Sequence, residues 1–336
     1  MRKRRIVITM GDPAGVGPEI IARALADERA RDLAEWVVLG NRRVMEEACR
    51  VTGVPFAFQV QKRDDLAFGP DPVLVEVDRM GEAPLLWGAW SARTGRAALA
   101  YIVHAVNLCV KERADGMVTA PICKAAIQKT GCKYPGHTEF IADMTGAEKV
   151  VMMLIGGGLR VALVTIHTPL AMVPQLATRG EIFGTLMVTH RELRESFGIA
   201  RPRLGVLGLN PHAGESGLFG EEETRHILPA MEKATRDGVT AVGPLPADTA
   251  FHRMLQGEFD ALVAMYHDQG LGPLKTLAFD SGVNVTLGLP IVRTSVDHGT
   301  AFDIAGKGTA SEQSLLAAME TAVEMARIRN LGAPPT

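Results

Sequence analysis

The chain has 336 residues, 47% of them hydrophobic and 22% charged. That is the balance of a globular protein, and the length suits two domains better than one core. A formal net charge of −2 excludes a broad basic field for nucleic acid or a membrane surface. Four cysteines without a CxxC pair fit neither a zinc ribbon nor a disulfide framework. The opening MRKRRIVITMGD has too short an apolar run for a signal-peptide core, and no stretch approaches the roughly 18 apolar residues of a membrane span. A cytoplasmic enzyme or binding protein is expected.

In chain order, RRIVITM reads as a strand and PEIIARALADERA as a helix with Pro18 in its first turn. EWVVLGN is a strand, and RVMEEACRVTG is a helix closed by Gly53. TGRAALAYIVHAVNLCVKERADG is a long amphipathic helix, followed by the short buried strand MVTAP. KVVMMLIGGG and LRVALVTIHTP are consecutive strands, a hairpin across Gly156, Gly157 and Gly158. RLGVLGLNPH, FDALVAMYHDQG and GVNVTLGLP are further strands, with helices near 220–236 and 247–256 between them. SEQSLLAAMETAVEMARIRN is a closing helix. This alternation predicts an α/β fold with a largely parallel sheet covered on both faces. Turn residues cluster at 121–136, which places a domain boundary there, and the last helix returns to the first domain.

Three apolar runs end in histidine: His167 after VALVTI, His212 after GVLGLNP, and His267 after ALVAMY. Ligands of open α/β sheets bind beyond the carboxyl ends of strands, and three neutral imidazoles with an open position make a catalytic metal site. Asn210 and Asp268 are candidates to orient them. Spacings of 45 and 55 residues leave this reading level with that of three polar strand ends bonded to backbone.

PGHTEFIADMTG (135–146) starts a helix with His137 and Thr138 at its head, a position suited to an anion or to a plain N-cap by Thr138. Lys275, Asn284 and Arg293 interrupt very apolar sequence, so they are either paired structurally or directed at a phosphate or carboxylate. MGDPAGVGPE (10–19) joins a strand to a helix, yet its glycines are spaced GxxxGxG, and Asn41 rather than an acid closes the next strand. It is not the Rossmann fingerprint.

ITMGDPAGVGPEI, TAPICKAAI, PGHTEF, LNPHAGESGLFGEEE, GPLPADTAF, YHDQG, GVNVTLGLP and RTSVDHGTAFDIAG, in this order along nearly the whole chain, resemble the 4-hydroxythreonine-4-phosphate dehydrogenase family of vitamin B6 biosynthesis. The resemblance implies a three-layer α/β/α, isocitrate/isopropylmalate dehydrogenase-like fold of two domains, 1–128 with 300–336 and 129–299. The active site is then expected in the cleft between them at the interface of a homodimer. It implies one divalent ion per subunit (Zn, Mg or Co) on His167, His212 and His267, with ligands shared between subunits. Substrate contacts fall on His137, Thr138, Lys275, Asn284 and Arg293, and Lys275 is the catalytic candidate. Asp248 is placed near the nicotinamide of NAD or NADP. The implied reaction oxidises 4-phosphooxy-L-threonine to 2-amino-3-oxo-4-phosphooxybutanoate, which loses CO2 to give 3-amino-2-oxopropyl phosphate.

One departure stands between His267 and Lys275. Vitamin B6 members commonly carry Leu-Pro-Val where this chain has Leu271, Gly272 and Pro273. A sister branch acting on 4-phosphothreonate or 4-phosphoerythronate often has Gly-His there. A metal-dependent lyase or hydrolase and a phosphate-ester binding protein or transferase are the alternatives from other classes.

Overall fold

The computed structural model describes residues 2–63, 66–77, 80–81 and 84–331. The chain divides into two compact units, Met1–Ala147 with Leu289–Arg327, and Glu148–Gly288 with Ile328–Thr336. In the first unit β1 (Arg4–Thr9) leads to α1 (Gly17–Ala26) and α2 (Glu28–Leu33), and β2 (Ala34–Gly40) to α3 (Arg42–Thr52). The short strands β3 (Gln59–Lys62) and β4 (Val73–Glu76) precede α4 (Ala92–Val110), β5 (Gly116–Thr119), α5 (Lys124–Gln128) and α6 (His137–Thr145).

The second unit holds β6 (Val151–Gly156), β7 (Leu159–Leu163), α7 (Val173–Leu176), α8 (Arg179–Glu195), β8 (Arg203–Leu207), α9 (Leu228–Arg236) and β9 (Thr240–Leu245). It continues with α10 (Ala247–Leu255), β10 (Ala261–Ala264), α11 (His267–Leu277) and β11 (Val283–Leu287). The chain then supplies β12 (Arg293–Val296) to the first unit, and α12 (Gln313–Leu331) follows.

The first unit orders its strands β3-β4-β2-β1-β5-β12, with every pairing parallel. Such strands are covered on both faces and read as unbroken apolar runs; β5 is buried along its whole length. Local chemistry sets the helices. Ser91 and Thr94 form a capping box at the head of α4, and α3 ends at Gly53 in the left-handed conformation (φ 72°). Trp36 is buried on β2, and its Nε1 donates to Ala30 O at 2.8 Å.

The second unit runs β11-β6-β7-β10-β8-β9. The glycine hairpin forms as the sequence predicts, with β6 antiparallel to β7 and Gly156 opposite Leu159. β11 is also antiparallel to β6, while β7, β10, β8 and β9 pair in parallel. Leu159, Val161, Leu262, Phe251, Met254, Leu271 and Leu274 share the core between sheet and helices.

The division differs from the expected 128 and 299 boundaries. Residues 129–147 and 289–299 lie in the first unit, because β12 pairs with β5 through Thr294 and Val118. Thr294 Oγ1 further donates to Ala318 O of α12 at 2.8 Å. The segment from His267 onward also differs. A helix starts at His267 directly after β10, although it contains Gly270, Gly272 and Pro273, all poor helix formers. Gly270 is required by packing. A Cβ there would stand 2.8 Å from Val161 Cγ1 and 3.0 Å from Leu163 Cδ2, so only glycine lets α11 lie this close to the sheet.

Candidate active site

Two groups of side chains account for most of the expected residues. In the first unit, His137 and Thr138 open α6, whose N-cap is Gly136 and which no side chain caps. Thr138 therefore lies inside the first turn and is not the N-cap. Arg293 starts β12 and is 3% exposed. Its Nη2 donates to Thr119 Oγ1, on the last residue of β5, at 2.7 Å. Burial pushes the guanidinium down to about 10, opposed by the nearby Glu139 carboxylate. His137 Nε2 is buried without a hydrogen-bond partner. Burial, then the charges of Arg293 and Lys124, hold the His137 imidazole well below its ordinary range, so it is neutral at pH 7. A buried cation, an unsatisfied imidazole nitrogen and a helix N-terminus are the chemistry that an anion site uses.

In the second unit the parallel pairing of β7 with β10 decides the arrangement. The ladder continues past both strands, with Val164 N donating to Ala264 O at 2.9 Å and Thr165 Oγ1 to Met265 O at 2.7 Å. His167 and His267, just beyond, have ring centroids 5.7 Å apart. One cation bonded to both rings at about 2.0–2.1 Å would set the centroids about 5 Å apart, close to this arrangement. His267 Nδ1 lies 2.7 Å from Asp268 Oδ1, which leaves Nε2 as the outward donor. Gln269, by contrast, is used within the fold. It is buried, accepts from Met265 N at 2.7 Å and donates to Gly208 O at 2.7 Å, stitching β10 to the segment after β8.

His212 stands apart from this pair. Among the described residues no group of three or more His, Cys, Asp or Glu is placed to hold a metal. His212 begins a run from 212 to 216 in which every residue, four of them not glycine, has positive φ. Left-handed turns of this kind cost about 1–3 kcal/mol per non-glycine residue and persist where neighbours hold them. Glu223 does so. Buried, it accepts from Leu209 N and Asn210 N at 2.8 Å each and from Asn210 Nδ2 at 3.0 Å. Its carboxylate also lies under Gly214, where a Cβ would meet Oε2 at 2.6 Å. Asn210 thus braces the loop.

The remaining residues vary. Asn284, on β11, has a buried Oδ1 without a hydrogen-bond partner, a vacancy worth about 1–3 kcal/mol to a donor. Lys275 is half-buried on α11, with its ammonium 5.7 Å from the Phe279 ring. Asp248 is exposed in the first turn of α10, the usual place for an acid opposite the helix dipole.

The glycine-rich loop 10–17 is not a dinucleotide cradle. Its close approaches are to its own protein: Gly11 (φ 74°) abuts Pro121 O, Gly17 abuts Met10 O, and Val16 N donates to Thr300 O at 3.0 Å. Asp12 is fully buried and holds Ala14 N at 3.0 Å and Thr94 Oγ1 at 3.2 Å. Thr119 and Glu223 were not singled out from sequence. Thr119 ends a strand in TAP, a position that could have signalled it; nothing separates Glu223 from the two glutamates before it.

Residues 32–322 match the family model described as pyridoxal phosphate biosynthetic protein PdxA. A 4-hydroxythreonine-4-phosphate dehydrogenase from Geobacter metallireducens is 51% identical over 98% of both chains. A D-threonate 4-phosphate dehydrogenase from Cupriavidus necator is 46% identical over 96% of this chain and 98% of its own. The crystal structure of a 4-hydroxythreonine-4-phosphate dehydrogenase from Klebsiella pneumoniae superposes with a TM-score of 0.88 at 38% identity, covering 96% of this chain and 98% of that one. On sequence and fold together, the chain belongs to the PdxA family of pyridoxal phosphate biosynthetic proteins.

Proposed function

We propose that the protein is an NAD(P)-dependent dehydrogenase of a small phosphorylated hydroxy acid, acting on 4-phosphooxy-L-threonine in pyridoxal 5'-phosphate biosynthesis. The observation that carries the reading is the head of α6, where the charge of buried Arg293 acts on His137, whose Nε2 is unsatisfied, in a chain whose relatives are named as dehydrogenases of phosphorylated substrates.

Arg293, His137 and Thr138 take the phosphate and so position the reacting carbon, an effect worth several kcal/mol of barrier in oriented reactions. Asn284 Oδ1 accepts from a substrate hydroxyl or ammonium. Lys275 holds the charged carboxylate oxygens and donates the proton that replaces CO2. Asp248 is placed beside the nicotinamide. When bound, the nicotinamide would supply the hydride acceptor and a divalent ion would supply a Lewis acid for the substrate's secondary alcohol. His167 and His267 would hold that ion, with His212 contributed from a second copy of the chain. Neutral imidazoles leave the cation its full charge.

A second reading, 4-phosphothreonate or 4-phosphoerythronate oxidation, is kept because of the D-threonate relative and the departure at Gly272 and Pro273, while Leu271 leans to the first reading. Gly272 faces open space, while Leu271 is buried. The test is absorbance at 340 nm with NAD or NADP and each of the three phosphorylated acids, with and without Zn, Co or Mg. Turnover confined to 4-phosphooxy-threonine supports the first reading; turnover confined to the threonate or erythronate replaces it with the second. No reduction of NAD(P) with any of them would remove the dehydrogenase reading.

A further inference from the structure

We propose that Lys124 is the second cation of the phosphate subsite, and that it makes the subsite select a phosphate dianion over a carboxylate. The inference rests on the reading of His137, Thr138 and Arg293 as phosphate-binding residues. Lys124 is the first residue of α5, five positions after Thr119, the residue that anchors Arg293. Its stem lies beside the N-cap of α6: a Cβ on Gly136 would stand 3.8 Å from Lys124 Cε. The Glu139 carboxylate borders the same point, with Oε2 at 3.6 Å. Lys124 and Arg293 both act on the His137 ring, each opposing its protonation, so both positive charges lie near one neutral imidazole.

The charge balance decides the ligand class. Lys124 is exposed and forms no ion pair with a carboxylate among the described residues. The Glu139 carboxylate acts on the Arg293 guanidinium, and it too is exposed. Glu139 offsets Arg293, so Lys124 supplies the net positive charge of the subsite beside the helix N-terminus. A phosphate monoester, near −2 at pH 7, gains more from that charge than a singly charged carboxylate does. An ammonium suits this place because it is a compact point charge on a flexible stem, able to follow a tetrahedral anion, while Arg293 is held rigidly by Thr119.

The experiment is calorimetric titration of the intact protein with inorganic phosphate, and separately with acetate, at pH 7.5. The expected result is that Lys124→Gln weakens phosphate binding about tenfold or more and leaves acetate binding unchanged, with Lys124→Arg recovering most of the loss. Lys124 is exposed on a surface helix, so Lys124→Gln should melt as the parent protein does. Wild-type phosphate affinity in Lys124→Gln, alongside a large loss in Arg293→Ala, overturns the role of Lys124 and leaves the phosphate site standing. Wild-type phosphate affinity in both variants overturns the phosphate reading itself.

Discussion

Arg293 is a guanidinium in an almost dry position, and its charge is tolerable there because fixed partners surround it. Thr119 Oγ1 accepts from Nη2. Thr119→Val keeps the shape and removes this acceptor, so it should destabilise the fold by about 1–3 kcal/mol in a urea titration. Arg293→Ala removes a charge-assisted grip worth about 1.5–3 kcal/mol, which predicts a 10- to 100-fold rise in KM for the phosphorylated substrate. An unchanged KM would take Arg293 out of the phosphate site. His137 gives a pH signature. Its folded pKa lies below its ordinary 6.5, so the unfolded chain binds more protons in acid. Stability is therefore full above pH 6.5 and declines as pH falls through that value, ceasing to fall once pH is below the folded pKa. His137→Asn should flatten the dependence of melting temperature on pH between 7 and 5; an unaltered slope would assign the effect to other groups.

At the scale of elements, the ends of β7 and β10 and the head of α11 act as one device. His267 is the first residue of α11, so its position follows the distance between that helix and the sheet. Gly270→Ala forces a Cβ to 2.8 Å from Val161 Cγ1, and overpacking of this kind costs about 1–3 kcal/mol. The expected outcome is a lower denaturation midpoint together with weaker metal retention, whereas a purely structural loss would leave metal content per folded chain untouched. The loop after β8 has its own brace. Glu223→Ala releases Leu209 N, Asn210 N and Asn210 Nδ2 at once, and residues 209–217 should then exchange amide hydrogen much faster. Parent-like protection of these amides would show that the left-handed turn holds itself. The helix at 267–277 was hidden from sequence reading because its glycines and Pro273 are chosen for tight packing and not for helix propensity. The hairpin at 156–158 was legible because consecutive glycines between apolar runs admit little else.

For the whole molecule, each unit contributes its own set of strands, and the expected residues divide between the units: His137, Thr138 and Arg293 in one, the three histidines with Asp248, Lys275 and Asn284 in the other. No helix among the described residues is long and apolar enough to cross a membrane. If His212 completes the metal site of a second copy, metal retention and self-association must fail together. On dilution, metal per chain measured by elemental analysis should fall in step with the dimer fraction from sedimentation. A monomer that keeps its metal in full would sink the shared site. The alternation of apolar runs and helical periods determined the α/β class, the parallel strands and the histidines at strand ends, since burial on two faces and on one face leave different patterns in the chain. The tertiary structure alone decided that β12 crosses back to pair with β5, that Thr119 and Glu223 are anchors, and that only two of the three histidines meet within one chain. Those outcomes depend on which strands become neighbours, and a pairing between residues far apart leaves no periodic trace in either of them.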